Sequence, residues 1–369
     1  MRVGFLTCDL THQHGWAHYG LSMARALSEQ GVDLKVICAP NIANKNEFSA
    51  QALLPPVDPM PPKMNLRLIQ ALPKVREILR DCDIVHVAIE PYAPLGYWVK
   101  GNKPLFVTGH GSYVRAPVER SFPINFLYRR AFLASTMICV SRYTSEVARG
   151  VLPGLRTEVV NNGVNEQRFS RLSPIPHDRP TVLCVGAVKA RKGTLALVEA
   201  IAAVREKIPN ILCVLIGTLD AEPEYADRVA GEIEVRGLNQ NVWLMGRVPE
   251  QTLLEWYASA DVFVLPSLNI DWKFEGYGLS LLEASAAGLP VIGARDCGAE
   301  DAVQHGVTGL LVSQLNLADE LTQAILSLFH NPVRAREMGN AGKAFARAQT
   351  WENAAKQVIQ LYERELAGR

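Results

Sequence analysis

A chain of 369 residues, 48% hydrophobic and 20% charged, has the make-up of an ordinary globular protein and is long for one hydrophobic core, so two domains are expected. Its 38 lysines and arginines balance 37 aspartates and glutamates to a net charge of +1, which removes any global electrostatic reason to expect a nucleic-acid partner. The seven cysteines (Cys8, Cys38, Cys82, Cys139, Cys184, Cys213 and Cys297) show no CxxC spacing, and several sit in apolar runs; they read as buried free thiols in a reducing cytosol, not a zinc site.

Met1 to Thr7 reads as a first strand with no secretory h-region, and no uninterrupted apolar run approaches the roughly 18 residues of a membrane span. The expected location is cytoplasmic, with a peripheral position at the inner face of a membrane left open. Further strand candidates in the first half are Leu34–Cys38, Ile84–Ala88, Leu105–Thr108 and Met137–Val140, and Leu21 to Gln30 has helical spacing with Gly31 as its stop. Such alternation predicts a parallel, doubly wound α/β sheet, whose ligands bind beyond the carboxyl ends of the strands.

Three features fall beside such ends. The stretch Thr7 to Ala17 holds one glycine, Gly15, and lacks GxGxxG; it reads equally as a plain loop or as backbone facing a phosphate. His110, between Gly109 and Gly111, is placed to project into a cleft, although a lone histidine is more often structural. Tyr113 to Ser135 mixes aromatics with Arg115, Arg120, Arg129 and Arg130. A core-facing helix with solvated arginines is the favoured reading there, and contact with an anionic membrane surface or lipid acceptor is the other. Residues 169–180, with three prolines and no periodicity, read as the linker between domains 1–168 and 178–348.

The second half restarts the alternation at Thr181–Gly186 and continues through Ile211–Ile216, Val242–Met245, Val262–Leu265, Pro290–Ala294 and Gly309–Val312. Lys189, Arg191 and Lys192 crowd a strand end and a helix start, either as an anion site or as a solvated basic turn. Glu275 precedes Gly276 and Gly278, and Glu283 lies inside the helical run Leu279 to Ala287, with seven residues between the glutamates. This predicts Glu275 on the loop entering a helix and Glu283 about a turn inside it, with free N–H groups between them that suit a phosphate. Glu283 stands among Leu281, Leu282, Ala284, Ala286 and Ala287, so a buried carboxylate in need of a partner is expected, and two ribose hydroxyls would serve. A solvated helix face is the alternative at that spacing. The closing stretch, Trp351 to Leu366, is amphipathic.

In order and spacing, Val185-Gly186 to Lys192-Gly193, Leu215-Ile216-Gly217, Gly246-Arg247-Val248, Leu254 to Ser267, the two-glutamate element and Gly306 to Val312 resemble the retaining glycosyltransferases of family 4, of the GT-B fold. The first half matches weakly, through Val140-Ser141, Asn162-Gly163-Val164 and His110. The resemblance implies two Rossmann-like doubly wound domains facing across a cleft, with the last helix, within 349–369, crossing back to the first.

It further implies a nucleoside-diphosphate sugar (UDP- or GDP-linked) as donor, a glycan, lipid-linked or small-molecule acceptor, and no cofactor. Glu283 would hold the ribose and Glu275 the donor sugar. Lys192 would neutralise the diphosphate beside Gly278 and Leu279, His110 would approach the reacting centre, Gly15 would lie close to the phosphates, and Gly246 to Val248 would line the base pocket.

The chain departs from the family pattern at Ala187, where arginine is usual; Lys189, the favoured substitute, or Arg191 would supply that charge. It departs also at the single Gly15, at Asn165 and at Cys297-Gly298. There is no DxD pair in a suitable loop, so no metal is expected. A nucleotide-sugar epimerase or hydrolase, and a silent nucleotide-sugar-binding partner, are the competing readings.

Overall fold

The computed structural model describes residues 1–11, 14–42, 48–57, 60–61, 63–169 and 173–368. His12 and Gln13 of the first loop, and 170–172 of the proline-rich stretch, lie outside them. The chain divides into two compact units, Met1–Asn162 with Trp351–Arg369, and Gly163–Thr350.

The first unit is built on seven strands: β1 (Arg2–Leu6), β2 (Asp33–Cys38), β3 (Gln51–Ala52), β4 (Ile84–Val87), β5 (Leu105–Gly109), β6 (Thr136–Cys139) and β7 (Arg156–Val159). They pair in parallel in the order β3-β2-β1-β4-β5-β6-β7. Central strands such as β4 (IVHV) and β6 (TMIC) are buried on both faces, as parallel sheets covered by helices require.

Two strands escape the sequence reading because neither carries an apolar run. One is the two-residue β3; the other is β7, an edge strand of sequence RTEV that is only half buried. The helix Met64–Ile78 escapes as well, since only Met64, Leu68 and Val75 face inward and Pro73 interrupts the pattern. The first helix starts at Gly15, earlier than its apolar spacing indicates. Its start is capped by His14, whose Nδ1 accepts the Ala17 N–H at 3.3 Å.

The helix Trp351–Ala367 belongs to this unit, as the resemblance implied. It buries Ala355, Val358, Leu361 and Tyr362. Tyr362 bonds through its hydroxyl to His86 Nδ1 and packs edge-on against Phe106 at 4.9 Å. At its far end Arg364 pairs with Glu158 at 2.8 Å and Glu365 with Arg156 at 2.9 Å. Those exposed pairs add little; burial of the apolar face, roughly 1.5–3 kcal/mol per large side chain, holds the helix down.

The second unit carries β8 (Thr181–Val185), β9 (Leu212–Ile216), β10 (Val242–Gly246), β11 (Val262–Leu265), β12 (Val291–Ala294) and β13 (Gly309–Val312), again parallel, in the order β10-β9-β8-β11-β12-β13. Residues just before β8 are fastened to this unit: Ile175 N–H donates to Ser259 at 2.6 Å, and Arg179 caps the carbonyls of Asn210, Ile211 and Gln240. All seven cysteines are buried and free.

Candidate active site

Strand order decides where a site can form. In the second sheet the chain runs outward from β8 through β9 to β10, then returns to β8 and runs the other way through β11, β12 and β13. The crevice beyond the carboxyl ends of β8 and β11 is therefore the topological switch point, where no crossover covers the sheet. The basic turn Ala190–Lys192 follows β8, and Ser267 and Glu275 follow β11. Gly193 brings the two together: at φ 67 it lies so close to Pro266 that a Cβ would stand 1.9 Å from that carbonyl oxygen.

Glu275 is buried, and one of its oxygens, Oε2, is the focus of three donors. Lys192 Nζ donates at 2.5 Å, Ser267 Oγ at 2.8 Å and Arg191 Nη1 at 3.1 Å. Burial alone would push this carboxyl up; the Lys192 and Arg191 cations and the Ser267 hydroxyl override it and hold the group well below the usual carboxylate range. The loop is fixed from behind by Gly298, whose N–H donates to the Glu275 carbonyl at 2.8 Å. A Cβ at Gly298 would collide with the Gly276 carbonyl oxygen at 1.9 Å, which is why glycine stands beside Cys297.

The helix Leu279–Ala287 begins directly after this loop, with Gly278 as its N-cap and Leu279 as its first residue. The anion-attracting helix start and the Glu275 cluster are thus neighbours in the chain. Glu283 lies inside the helix and does have partners. Arg168 Nη1 reaches Oε1 at 3.2 Å, and the Tyr257 hydroxyl donates to Oε2 at 3.1 Å. Burial pushes the Glu283 carboxyl up, against the pull of Arg168 and the Tyr257 hydroxyl. Arg168 also holds Glu250 at 3.1 Å. Gly246 ends β10, and the half-buried Val248 follows it.

Arg191, whose guanidinium reaches Glu275, and Lys189, at the N-cap of the same turn, both stand at the end of β8. Ser267, Arg168 and Tyr257 were not singled out from the sequence. Ser267 and Tyr257 had a signal, since both lie in the stretch Leu254 to Ser267; Arg168 had none, because only folding brings it to Glu283.

In the first sheet the switch point lies between β1 and β4. Gly15 opens the helix that follows β1 instead of sitting in its loop, and His110 follows β5. The His110 ring donates through Nε2 to the Ala88 carbonyl at 2.7 Å, and Tyr19 packs edge-on against it at 4.5 Å. Burial pushes the imidazole down to about 4, so it is neutral at physiological pH, with Nδ1 as its acceptor nitrogen.

The stretch from Tyr113 to Ser135 does face the core through Tyr128, Ala131 and Phe132 of the helix Ile124–Leu133. Its other face is unusual: Phe126 is 50% exposed and Leu133 42% exposed, next to the exposed Arg129 and Arg130, and Phe122 just before the helix is 81% exposed. Among the described residues no group of three His, Cys, Asp or Glu side chains could hold a metal ion, and no helix is long and apolar enough to cross a membrane.

Comparison with known proteins gives the family and the fold. Residues 14–168 match the model for Glycosyltransferase Family 4, and 165–345 match that for Glycosyl transferases group 1. The chain is 30% identical over 318 residues to the GDP-mannose-dependent alpha-(1-6)-phosphatidylinositol monomannoside mannosyltransferase of Mycobacterium tuberculosis, covering 80% of each chain. It is 32% identical over 235 residues to the D-inositol 3-phosphate glycosyltransferase of Streptosporangium roseum, covering 59% of this chain and 52% of that one.

Among solved structures, a glycosyltransferase from Rickettsia africae superposes with a TM-score of 0.81 at 18% identity, covering 99% of this chain and 98% of that one. Anabaena HepE in complex with UDP and glucose superposes with 0.79 at 18%, covering 99% and 100%. These structures share the GT-B fold of two Rossmann-like domains. With both halves matched by glycosyltransferase models and a relative this similar along four-fifths of its length, the chain belongs to the family 4 glycosyltransferases and is an enzyme of glycosyl transfer.

Proposed function

We propose that this enzyme moves a sugar from a nucleoside-diphosphate sugar to a saccharide, lipid-linked or small-molecule acceptor, with retention at the anomeric carbon and without a metal ion. The observation that carries the reading is the charged Glu275 carboxylate, held by Lys192, Arg191 and Ser267 beside the start of the helix Leu279–Ala287. Breaking the bond from an anomeric carbon to a diphosphate builds negative charge on the departing phosphate. Lys192, Arg191 or Lys189, and the N–H groups from Gly278 and Leu279 onward are the preorganised positive ends that offset it.

Glu275 takes hydroxyls of the donor sugar and Glu283 those of the ribose. The base lies along Gly246 to Val248, and the helix start at Gly15 supports the phosphates. His110 accepts a hydrogen bond from a donor-sugar hydroxyl at Nδ1. The departing phosphate removes the acceptor's proton on the same face, since no second carboxylate stands out as a covalent nucleophile.

The relatives named for GDP-mannose make GDP-mannose the first donor to test, and an inositol-bearing or mannosylated lipid the first acceptor. Peripheral contact with an anionic membrane belongs to the same reading. Phe122, Phe126 and Leu133 with Arg129 and Arg130 form the apolar-and-basic surface that such contact uses.

The deciding experiment is a thermal-shift panel of GDP, UDP, ADP and CDP without added metal, followed by transfer assays with the responding nucleotide's sugars. One clear responder names the donor class, because a ligand that binds the native state raises the midpoint by mass action. A flat response from all four nucleotides, in folded protein, would overturn the reading, and a clear responder whose sugars are transferred to no acceptor would favour a silent partner. Nucleotide release that needs no acceptor would favour an epimerase or hydrolase.

A further inference from the structure

Glu90 has no part in the reading above, yet it is buried with no exposed surface at the end of β4, beside the switch point of the first sheet. Its Oε1 accepts the His110 main-chain N–H at 2.7 Å, while Oε2 is buried without a hydrogen-bond partner among the described residues. Buried polar atoms left unpaired are rare and call for a reason. The same histidine makes a second bond to this stretch, from ring Nε2 to the Ala88 carbonyl at 2.7 Å. His110 is therefore docked twice, main chain and ring, on the residues that follow β4. Together these two bonds fix where the ring sits and which nitrogen faces away from Ala88.

We propose that Glu90 is the positioning residue for His110: its carboxyl group, by holding the His110 N–H, sets the direction of the Nδ1 lone pair. The inference rests on the reading of His110 as a ligand of the donor sugar. Among the described residues, the titratable groups that face this carboxyl are His110 itself, Tyr128 of the helix Ile124–Leu133 and Cys139 at the end of β6. None is a cation at neutral pH: burial holds the His110 imidazole down at about 4, pushes the Cys139 thiol up to about 12 and pushes Tyr128 up as well. With no cation among the described residues to pair it, burial pushes Glu90 up to about 8, against the N–H groups of His110 and Gly111. At neutral pH it is a carboxylic acid, whose carbonyl oxygen still accepts the N–H. Above pH 8 it becomes a buried charge that must draw in water or shift the turn.

The test uses the full-length wild type, Glu90→Gln and Glu90→Ala, each labelled with nitrogen-15 at histidine. Glutamine keeps a neutral carbonyl acceptor; alanine removes it. The expected result is a His110 ring signal that titrates in the wild type with a midpoint near 8, inherited from Glu90, and stays flat from pH 6 to about 9.5 in Glu90→Gln. In transfer assays at pH 7, Glu90→Ala lowers kcat about tenfold or more with little change in donor KM, and Glu90→Gln restores it. Identical titrations in wild type and Glu90→Gln, or a Glu90→Ala enzyme with the wild-type His110 signal and kcat, would overturn the proposal. Should wild type transfer no sugar from any donor, the functional reading fails, and the His110 titration still decides the role of Glu90. If Glu90→Ala does not fold, the comparison of wild type with Glu90→Gln decides it.

Discussion

Glu283 and Arg168, 115 positions apart in sequence, are joined carboxylate to guanidinium, Oε1 to Nη1 at 3.2 Å. The pairing keeps a carboxylate that burial pushes up available for the ribose hydroxyls proposed for it. Removing the guanidinium leaves the Tyr257 hydroxyl as its remaining donor among the described residues and raises the carboxyl further. Arg168→Ala should therefore weaken nucleoside-diphosphate binding about tenfold, roughly 1.4 kcal/mol, with a loss that grows as pH is lowered, compared at pH 8 and pH 6. Calorimetric titration at the two pH values checks this. An unchanged Kd at both would separate Arg168 from the ribose contact.

The Glu275 cluster predicts a different signature. Lys192→Ala and Glu275→Gln each remove one partner of a buried, charge-assisted contact, proposed above as the site of the departing phosphate and the donor sugar. Each should lower turnover by at least about tenfold, or 1.4 kcal/mol of barrier, with the fold retained. Steady-state assays with circular dichroism as the folding control decide it. Wild-type rates in both folded variants would sink the site assignment.

His86 lies in the core of the first unit, its ring held by Tyr362 at Nδ1 and by Thr108 at Nε2 at 2.8 Å. Burial pushes it down to about 3 from its ordinary value of 6.5. In the window between, the unfolded chain binds the proton and the folded chain does not. The stability from neutral His86 is thus complete above pH 6.5 and is lost as pH falls towards 3. Going from pH 7 to pH 5 this amounts to about 2 kcal/mol. Glu90, pushed up, works in the opposite direction, so the quantity to measure is the difference in urea unfolding between wild type and His86→Gln at the two pH values. Equal losses in both proteins would mean that His86 does not carry the acid sensitivity.

The outward face of the helix Ile124–Leu133 predicts binding to anionic but not neutral vesicles. Arg130 stacks over Phe126 at 5.6 Å, so a cation and an apolar ring are presented together. Co-sedimentation with phosphatidylglycerol-containing vesicles should fall at least about tenfold in Arg129→Glu/Arg130→Glu, at roughly 1 kcal/mol per basic residue removed from the surface, and should fall too in Phe122→Ser/Phe126→Ser. Equal pelleting of wild type and both variants would reduce the stretch to a solvated helix.

The apolar runs of the central strands, the helix Leu279–Ala287, and the placement of Glu275 and Glu283 around its start were legible in the sequence, because each depends on neighbours a few residues away. The edge strand Arg156–Val159 was not, since a half-exposed strand needs no apolar run, nor was the helix start at Gly15, which rests on a cap from His14. Local pattern also named Lys192 and His110 as candidates without saying what they touch. Which strand ends converge is a matter of strand order, and only the tertiary structure decided it. Order β9-β8-β11 opens one crevice beside Lys192 and Glu275, and order β2-β1-β4 opens the other beside Glu90. The partners that set the charges (Arg168 and Tyr257 on Glu283, Lys192 and Arg191 on Glu275) come from elements distant in sequence. A carboxyl group's charge depends on the donors and the burial within a few ångströms of it, and these exist only once the sheets have formed.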